Sequence, residues 1–231
     1  MLFRSVESTY GAKEDIQPTR EEVEGAFIKS VNEILKGGGK VLIPIPAVGR
    51  AQELMMVIDK YMKSGQLTES PVFMEGMIQE ATAIHEAHPE YLERSLKQKI
   101  LETDDNPFDS EYFTNIEHAD SRDEPLREDS PCIVIATSGM LEGGPVLEYF
   151  RNFAPDKRNK ILFVSYQVNG TLGRRVMDGA RQVTIMGQDG KVQVVTINCG
   201  TEKLEGFSGH SDYNQLMSYV QRLRQIGRAH V

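Results

Sequence analysis

Short apolar runs alternate with helical patterns along most of this chain. Four runs of mostly apolar residues have the composition of strands buried on both faces of a sheet. They cover residues 40–44, 71–74, 131–136 and 160–165. Stretches with helical spacing of apolar positions lie between them. This alternation predicts an α/β fold with a mostly parallel sheet flanked by helices.

The first predicted helix has clear start and stop signals. Thr19 is an N-cap candidate, and Glu22, three residues later, completes a capping box. Three consecutive glycines at 37–39 end the helix at about Lys36. Its predicted inward face consists of Val23, Phe27, Val31, Ile34 and Leu35.

The remaining segments carry weaker patterns. Residues 6–11 favour the end of a strand followed by a loop, with Glu7 at the strand tip, and residues 102–129 favour a loop or hairpin. Residues 181–186 and 191–198 favour an antiparallel hairpin turning at 187–190, where Asp-Gly is a hairpin signal. Further helices are predicted at 51–63, 78–85, 90–101 and 214–224, the last with Leu216, Tyr219, Val220 and Leu223 inward.

Composition narrows the class of protein. The chain has 231 residues, 39% of them hydrophobic and 26% charged, as expected of a protein with a full core. No apolar run approaches the roughly 18–20 residues of a membrane span, and the N-terminus has no signal-peptide core, so we expect a cytoplasmic protein without membrane association. Cys132 and Cys199 lie in apolar runs without metal-site spacing, which predicts buried thiols.

The two ends differ from their neighbours. Residues 1–5 (MLFRS) and 225–231 (QIGRAHV) resemble in-frame translations of short sequencing adapters. Such additions are excluded from fold reasoning. We therefore expect a natural segment spanning residues 6–224, internal to a longer protein, and we do not treat His230 as a ligand.

Polar turns follow three of the buried runs, where open α/β sheets bind their ligands. They are residues 46–50, 137–144 and 170–175, and each contains glycine. A small-residue turn that opens a helix presents backbone N–H groups to an anion such as phosphate. Arg50, Ser138, Arg174 and Arg175 are the candidate phosphate-binding side chains in these turns; surface ion pairing is the alternative for each arginine.

A fourth turn, residues 206–212 (GFSGHSD), carries a histidine and a carboxylate two positions apart. His210 is the candidate proton-handling group, and Ser208 and Gly209 are further phosphate-binding candidates. Asp212 is expected to cap the following helix or to accept a hydrogen bond behind the site. His85, His88 and His118 lack an accompanying carboxylate cluster and are expected at the surface.

Taken together, these landmarks are similar to those of the β-CASP metallo-β-lactamase nucleases. The closest resemblance is to the archaeal branch related to the cleavage and polyadenylation specificity factor endonuclease. The matching segments occur in the family's order: residues 7–11 (ESTYG), 39–44 (GKVLIP), 47–53 (AVGRAQE), 136–141 (ATSGML), 170–174 (GTLGR) and 207–212 (FSGHSD).

The resemblance implies a zinc-dependent RNA endonuclease of transcript 3′-end formation and termination, with possible 5′→3′ exonuclease action. It implies pieces of a metallo-β-lactamase αββα domain at 6–11 and 207–224, a β-CASP domain at 12–206, and single-stranded RNA running between the two domains. It assigns Glu7 and His210 as catalytic residues that meet beside two Zn²⁺ ions. It also implies a homodimer and partners in RNA polymerase or 3′-end processing.

The family's other metal ligands have no counterpart in this chain. Two-metal hydrolysis needs several His and Asp ligands holding ions about 4 Å apart, and only His210 matches. We therefore expect no metal bound to this fragment alone and no RNA cleavage by it; stoichiometric zinc or nuclease activity would contradict this.

Two other functions stay open from the sequence. One is a non-catalytic, RNA-binding scaffold relative of the nucleases. The other is a metal-free α/β module for phosphate or nucleotides, although the chain lacks the usual nucleotide-loop patterns. The net charge of −8 requires any RNA contact to be a local basic strip.

Overall fold

The computed structural model describes residues 5–103, 105–127, 130–187 and 190–222. Of the predicted adapter-derived ends, 1–5 and 225–231, all residues except Ser5 lie outside these ranges. Leu223 of the last predicted helix and residues 188–189 of the predicted hairpin turn also lie outside them.

The described residues form a six-stranded parallel sheet and a separate two-stranded antiparallel sheet. The strands of the large sheet, in spatial order, are β3, β2, β4, β1, β5 and β8. The strand bounds are β1 Val41–Pro44, β2 Val72–Glu75, β3 Phe113–Ile116, β4 Ile133–Ala136, β5 Lys160–Phe163, β6 Gln182–Met186, β7 Val192–Thr196 and β8 Gly200–Lys203. The helix bounds are α1 Arg20–Lys36, α2 Arg50–Lys63, α3 Ile78–Ala87, α4 Arg94–Glu102, α5 Asp123–Leu126, α6 Val146–Phe153, α7 Leu172–Met177 and α8 Tyr213–Arg222.

Helices cover both faces of the large sheet because the central strands are apolar on both. Val41 and Ile43 of β1 pack with the inner faces of α1 and α2, whereas Leu42 points into the opposite cluster with α6 and α7. The β6–β7 hairpin packs on that second cluster through Val183, Ile185 and Val195. The predicted α/β fold with a mostly parallel sheet flanked by helices is thus confirmed.

The start of α1 agrees with its sequence signals. The Thr19 side chain accepts from the backbone N–H of Glu22, and the Glu22 carboxylate accepts from that of Thr19, at 2.8 Å. Of the predicted inward residues, Val23, Phe27, Val31 and Leu35 are buried and Ile34 is partly buried.

The sequence patterns did not predict the two edge strands of the large sheet, β3 and β8. β3 lies within the region predicted as a loop or hairpin, and β8 follows the antiparallel hairpin. Their burial is only partial, so they lack the apolar runs that mark the central strands. Parallel pairing with β2 and β5, rather than side-chain pattern, defines them.

Three local predictions were also wrong. The strand end predicted at the start of residues 6–11 is absent: residues 6–8 belong to no strand, and Thr9 and Tyr10 form a turn. The helix predicted at 90–101 is interrupted: Glu93 caps α4 by accepting from the backbone N–H of Ser95 at 2.9 Å. On α8 only Leu216 is buried, while Tyr219 and Val220 are 53% and 49% exposed.

A buried polar cluster closes the carboxyl end of β2. The Glu75 carboxylate accepts from both Arg122 Nε and the Tyr149 hydroxyl, the latter at 2.6 Å. Burial, and then the hydrogen bond to Glu75, raise the pKa of Tyr149 well above its usual range, so the phenol stays a donor.

No helix among the described residues is long and apolar enough to cross a bilayer.

The Tyr149 hydroxyl contributes to stability through this buried acceptor. Tyr149→Phe keeps the ring but removes a hydrogen bond to a charged group, so the free energy of unfolding should fall by about 1.5–3 kcal/mol. Urea denaturation followed by circular dichroism measures the change. Tyr219→Phe, at an exposed position, is the matched control and should change stability by less than about 0.5 kcal/mol. Equal values for the two variants would contradict the prediction.

Candidate functional site

The turn between β8 and α8 is anchored in the core by Phe207. That side chain is 4% exposed, and its ring meets the Phe27 ring of α1 edge-on at 6.0 Å. Gly206 adopts a φ of +99°, and a Cβ there would lie 2.2 Å from the Val23 side chain. Glycine is therefore required for the close approach of this turn to α1. The anchored turn leaves residues 208–210 at the surface or partly exposed.

Glu7 and His210 come together at the exposed part of the turn. His210 Nδ1 lies 3.3 Å from Glu7 Oε2, although the residues are separated by most of the chain. The contact is longer than the about 2.7–2.9 Å of a charge-assisted hydrogen bond, so the two groups are placed together but not tightly bonded. Their side chains are 47% and 53% exposed, so the contact contributes little to stability.

Neighbouring groups orient the pair. Thr9 donates its backbone N–H to Glu7 Oε2 at 3.1 Å. This bond is the main cause of a lowered pKa of Glu7; the Thr9 hydroxyl, the Ser211 N–H and the charge of His210 act in the same direction. The backbone N–H of His210 donates to the Ser208 hydroxyl at 3.2 Å, and the Tyr10 ring packs edge-on against the imidazole at 6.0 Å. Glu7 therefore stays ionised at neutral pH.

Asp212 connects the turn to the N-terminal segment and to α8. Its two oxygens accept from the backbone N–H groups of Gln215, at 2.8 Å, and Gln17, at 3.2 Å. The Gln215 side chain accepts from the Asp212 N–H at 3.0 Å in return, which completes a capping box. Asp212 is thus a helix cap that also holds the chain on which Glu7 lies.

Arg50 lies near the same turn, together with Arg20, which the sequence analysis did not single out. The guanidinium groups of Arg50 and Arg20 both contact the Glu53 carboxylate. Arg20 Nε also pairs with Glu24 at 2.5 Å, and its guanidinium lies 5.7 Å from the centre of the Phe207 ring. Partial burial, and then the charge of Arg20, lower the pKa of Arg50. Two arginines thus share one carboxylate beside Phe207.

A sequence signal for Arg20 exists. Arg20 and Arg50 are the first residues of α1 and α2, where a cation is opposed by the positive end of the helix dipole. An arginine at such a position can be used to attract an anion. The surrounding charges alternate in sign: Lys60, Glu24, Arg20, Glu53 and Arg50.

The other predicted phosphate-binding residues lie further along the carboxyl edge of the sheet. Ser138 follows β4 and accepts from the Glu142 N–H at 3.1 Å, and Arg174 Nε pairs with Asp178 at 2.8 Å. Arg175 is exposed, and no described carboxylate pairs with it. β4 is three strands from β8, or about 14 Å. No single phosphate spans that distance, so Ser138 and the Glu7–His210 pair are not brought into one compact site.

The donor set does not fit a pair of zinc ions. Among the described residues there is no cluster of three or more His, Cys, Asp or Glu side chains that could hold a metal. Glu7 and His210 are two donors, and both oxygens of Asp212 are occupied by backbone N–H groups. Cys132 and Cys199 are buried, and burial raises the pKa of each thiol to about 12, which disfavours the thiolate that zinc binds.

Comparison with known proteins identifies the class. Residues 51–176 match the model of the Beta-Casp domain, and residues 194–227 match that of the Zn-dependent metallo-hydrolase RNA specificity domain. The first match covers more than half of the chain, so this chain belongs to the Beta-Casp domain family, and the family resemblance in the sequence is confirmed.

Curated relatives narrow the branch of the family. The chain is 78% identical to the "Transcription termination factor FttA" of Cenarchaeum symbiosum, over 95% of this chain and 34% of the relative. Proteins of the same name from Pyrococcus abyssi and Methanocaldococcus jannaschii are 49% and 48% identical, with the same coverage of 95% and 34%. The chain thus spans about a third of the length of these relatives.

The Asp212 cap can be tested separately from any activity. Asp212→Ala removes both accepted hydrogen bonds and should lower the free energy of unfolding by about 0.5–2 kcal/mol. Asp212→Asn keeps an acceptor oxygen at the cap and should retain most of the stability. Thermal denaturation of the three proteins checks this order, which fails if both variants lose the same amount.

Proposed function

We propose that this chain is the RNA-positioning part of a zinc-dependent RNA endonuclease that acts in transcript 3′-end processing and termination. The main supporting observation is the meeting of Glu7 and His210 at a turn flanked by Arg20 and Arg50. The names of the relatives and of the matched RNA specificity domain support the same function. The described residues contain no cluster that could hold a metal. We propose that the remainder of the longer protein supplies the ligands of the two zinc ions, and that this chain alone does not cleave RNA.

In this proposal Glu7 and His210 are the catalytic residues. A carboxylate that accepts from imidazole Nδ1–H fixes the tautomer and leaves Nε2 facing the substrate. Nε2 can then exchange a proton with a phosphate or leaving oxygen. The 3.3 Å separation allows the two groups to tighten when RNA is bound, as catalytic contacts often do.

The proposed substrate is single-stranded RNA along the carboxyl edge of the sheet. Arg50, Arg20, Ser208 and Gly209 would contact phosphates near the Glu7–His210 pair, and Ser138, Arg174 and Arg175 would contact other phosphates of the same strand. These residues form a local cationic strip. Since the chain as a whole has a net charge of −8, RNA binding depends on such a strip.

The finer architecture and the partners are proposals of the same kind. We assign residues 12–206 to the β-CASP domain and residues 6–11 and 207–224 to a metallo-β-lactamase domain completed by the longer protein. Residues 1–5 and 225–231 are assigned to neither. The longer protein is proposed to be a cytoplasmic homodimer that works with RNA polymerase or 3′-end processing factors, with 5′→3′ exonuclease action as a second activity.

Variants of Arg50 and Glu53 should change the affinity for RNA in opposite directions, and this tests the proposed RNA binding. Arg50→Gln should weaken binding of a short single-stranded RNA about two- to tenfold and reduce the salt dependence by about one phosphate contact. Glu53→Gln should tighten binding by a similar factor, because it frees two guanidinium groups from their shared carboxylate. Fluorescence anisotropy at several salt concentrations measures both.

Matched variants separate these local effects from net charge. Arg94→Gln and Glu21→Gln make the same charge changes at exposed positions of α4 and α1, and each should leave the affinity nearly unchanged. If Glu53→Gln weakens binding, Glu53 orients the arginines instead of competing with RNA. If the unaltered chain binds no RNA, the proposed function of this part is wrong.

A further inference from the structure

A small cavity adjoins the Glu7–His210 pair. It has a volume of about 250 Å³. Three segments form it: the N-terminal loop from Tyr10 to Pro18, the end of β5 with Tyr166, and the chain from Lys203 to Ser208. Sites for drug-sized ligands have about 300–1,000 Å³, so this cavity suits one planar ring system and not a whole nucleotide chain.

Its position connects it to the candidate catalytic pair. Tyr10 lines the cavity and also packs against the His210 ring at 6.0 Å. Ser208, whose hydroxyl accepts from the backbone N–H of His210, lines it as well. A strand whose phosphate lies at the pair would therefore present a neighbouring base to this cavity.

Aromatic side chains give the cavity its apolar surface. Tyr166 comes shortly after β5 and is 60% exposed, although aromatic rings are usually buried. Phe207 is a buried lining residue on the core side. An exposed aromatic ring beside a cavity of this size is the arrangement on which single-stranded RNA stacks its unpaired bases.

The charges in the cavity exclude a phosphate. Its lining includes three carboxylates, Glu14, Asp15 and Glu205, and one ammonium group, that of Lys203. Lys203 is neutralised by Glu205 at 2.6 Å, so the remaining carboxylates leave the cavity negative. Base edges carry N–H donors that carboxylates accept. Ser165 also lines the cavity, and its buried hydroxyl has no hydrogen-bond partner among the described residues.

We propose that this cavity is a subsite for one unstacked nucleobase of the RNA, with Tyr166 as the stacking residue beside the catalytic pair. The proposal rests on the proposed RNA-positioning function and adds to it a contact to a base. The phosphates of the strand are held by the arginines, while the base is held by the acidic and aromatic cavity. Tyr166 is accordingly a positioning residue.

The test compares RNA with a ribose-phosphate oligomer of the same length that lacks bases, each titrated by fluorescence anisotropy. Tyr166→Ala should weaken RNA binding about five- to 150-fold and leave binding of the abasic oligomer unchanged. Tyr166→Phe keeps the ring and should bind RNA like the unaltered chain. Tyr91→Ala, at an 85% exposed tyrosine that lies outside the cavity, is the matched control and should have no effect.

The outcomes distinguish this proposal from the function on which it rests. If the unaltered chain binds RNA and Tyr166→Ala binds it equally well, the base subsite is overturned and the RNA-positioning function stands. Equal weakening for RNA and the abasic oligomer also overturns the subsite, because Tyr166 would then support the fold or the backbone contacts. If the unaltered chain binds neither oligomer, both proposals fail.

Discussion

The parallel pairing of β1 with β4 and β5 is the constraint on which the rest of the structure depends. All residues of β1 are fully or almost fully buried, and its two neighbours are paired in register along it, for example Val41 with Ile133 and with Lys160. Parallel pairing places the carboxyl ends of the strands at one edge. The turns that follow β1, β4, β5 and β8 therefore open on the same side, and the candidate site is built from them.

The sequence predicts the parts of this fold that are determined by burial. The central strands were found because both of their faces are apolar, and α1 because its cap and its inward stripe are both encoded locally. The edge strands β3 and β8 escaped because one or both faces are exposed, so that their pairing depends on a neighbour distant in sequence. The inward face of α8 was mispredicted: Tyr219 and Val220 have the helical spacing of buried residues but are about half exposed in the described chain.

The candidate site divides in the same way. The chemistry of His210 is visible in its turn, and the role of Asp212 as a cap follows from the glutamine three positions later. The contact of His210 with Glu7 spans about 200 residues, and only the family resemblance suggested it. Arg20 was missed because its proximity to Phe207 and Glu53 is a consequence of how α1 and α2 pack; the one local sign was a cation at the start of a helix.

The stability of the site does not come from its functional contacts. The Glu7–His210 contact is exposed and long, so it contributes little to folding. The arginines are balanced by Glu53 and Glu24. The geometry is set instead by Phe207 in the core and by Asp212, which joins the N-terminal segment to α8. Because Phe207 and Asp212 hold the turn in place, the exposed side chains of the site can exchange their present partners for a substrate without a large loss of stability. Arg50 is partly buried and pairs with Glu53. An incoming phosphate has the same sign of charge as the Glu53 carboxylate, so it can take over the pairing with Arg50. The buried guanidinium then keeps a partner of opposite charge.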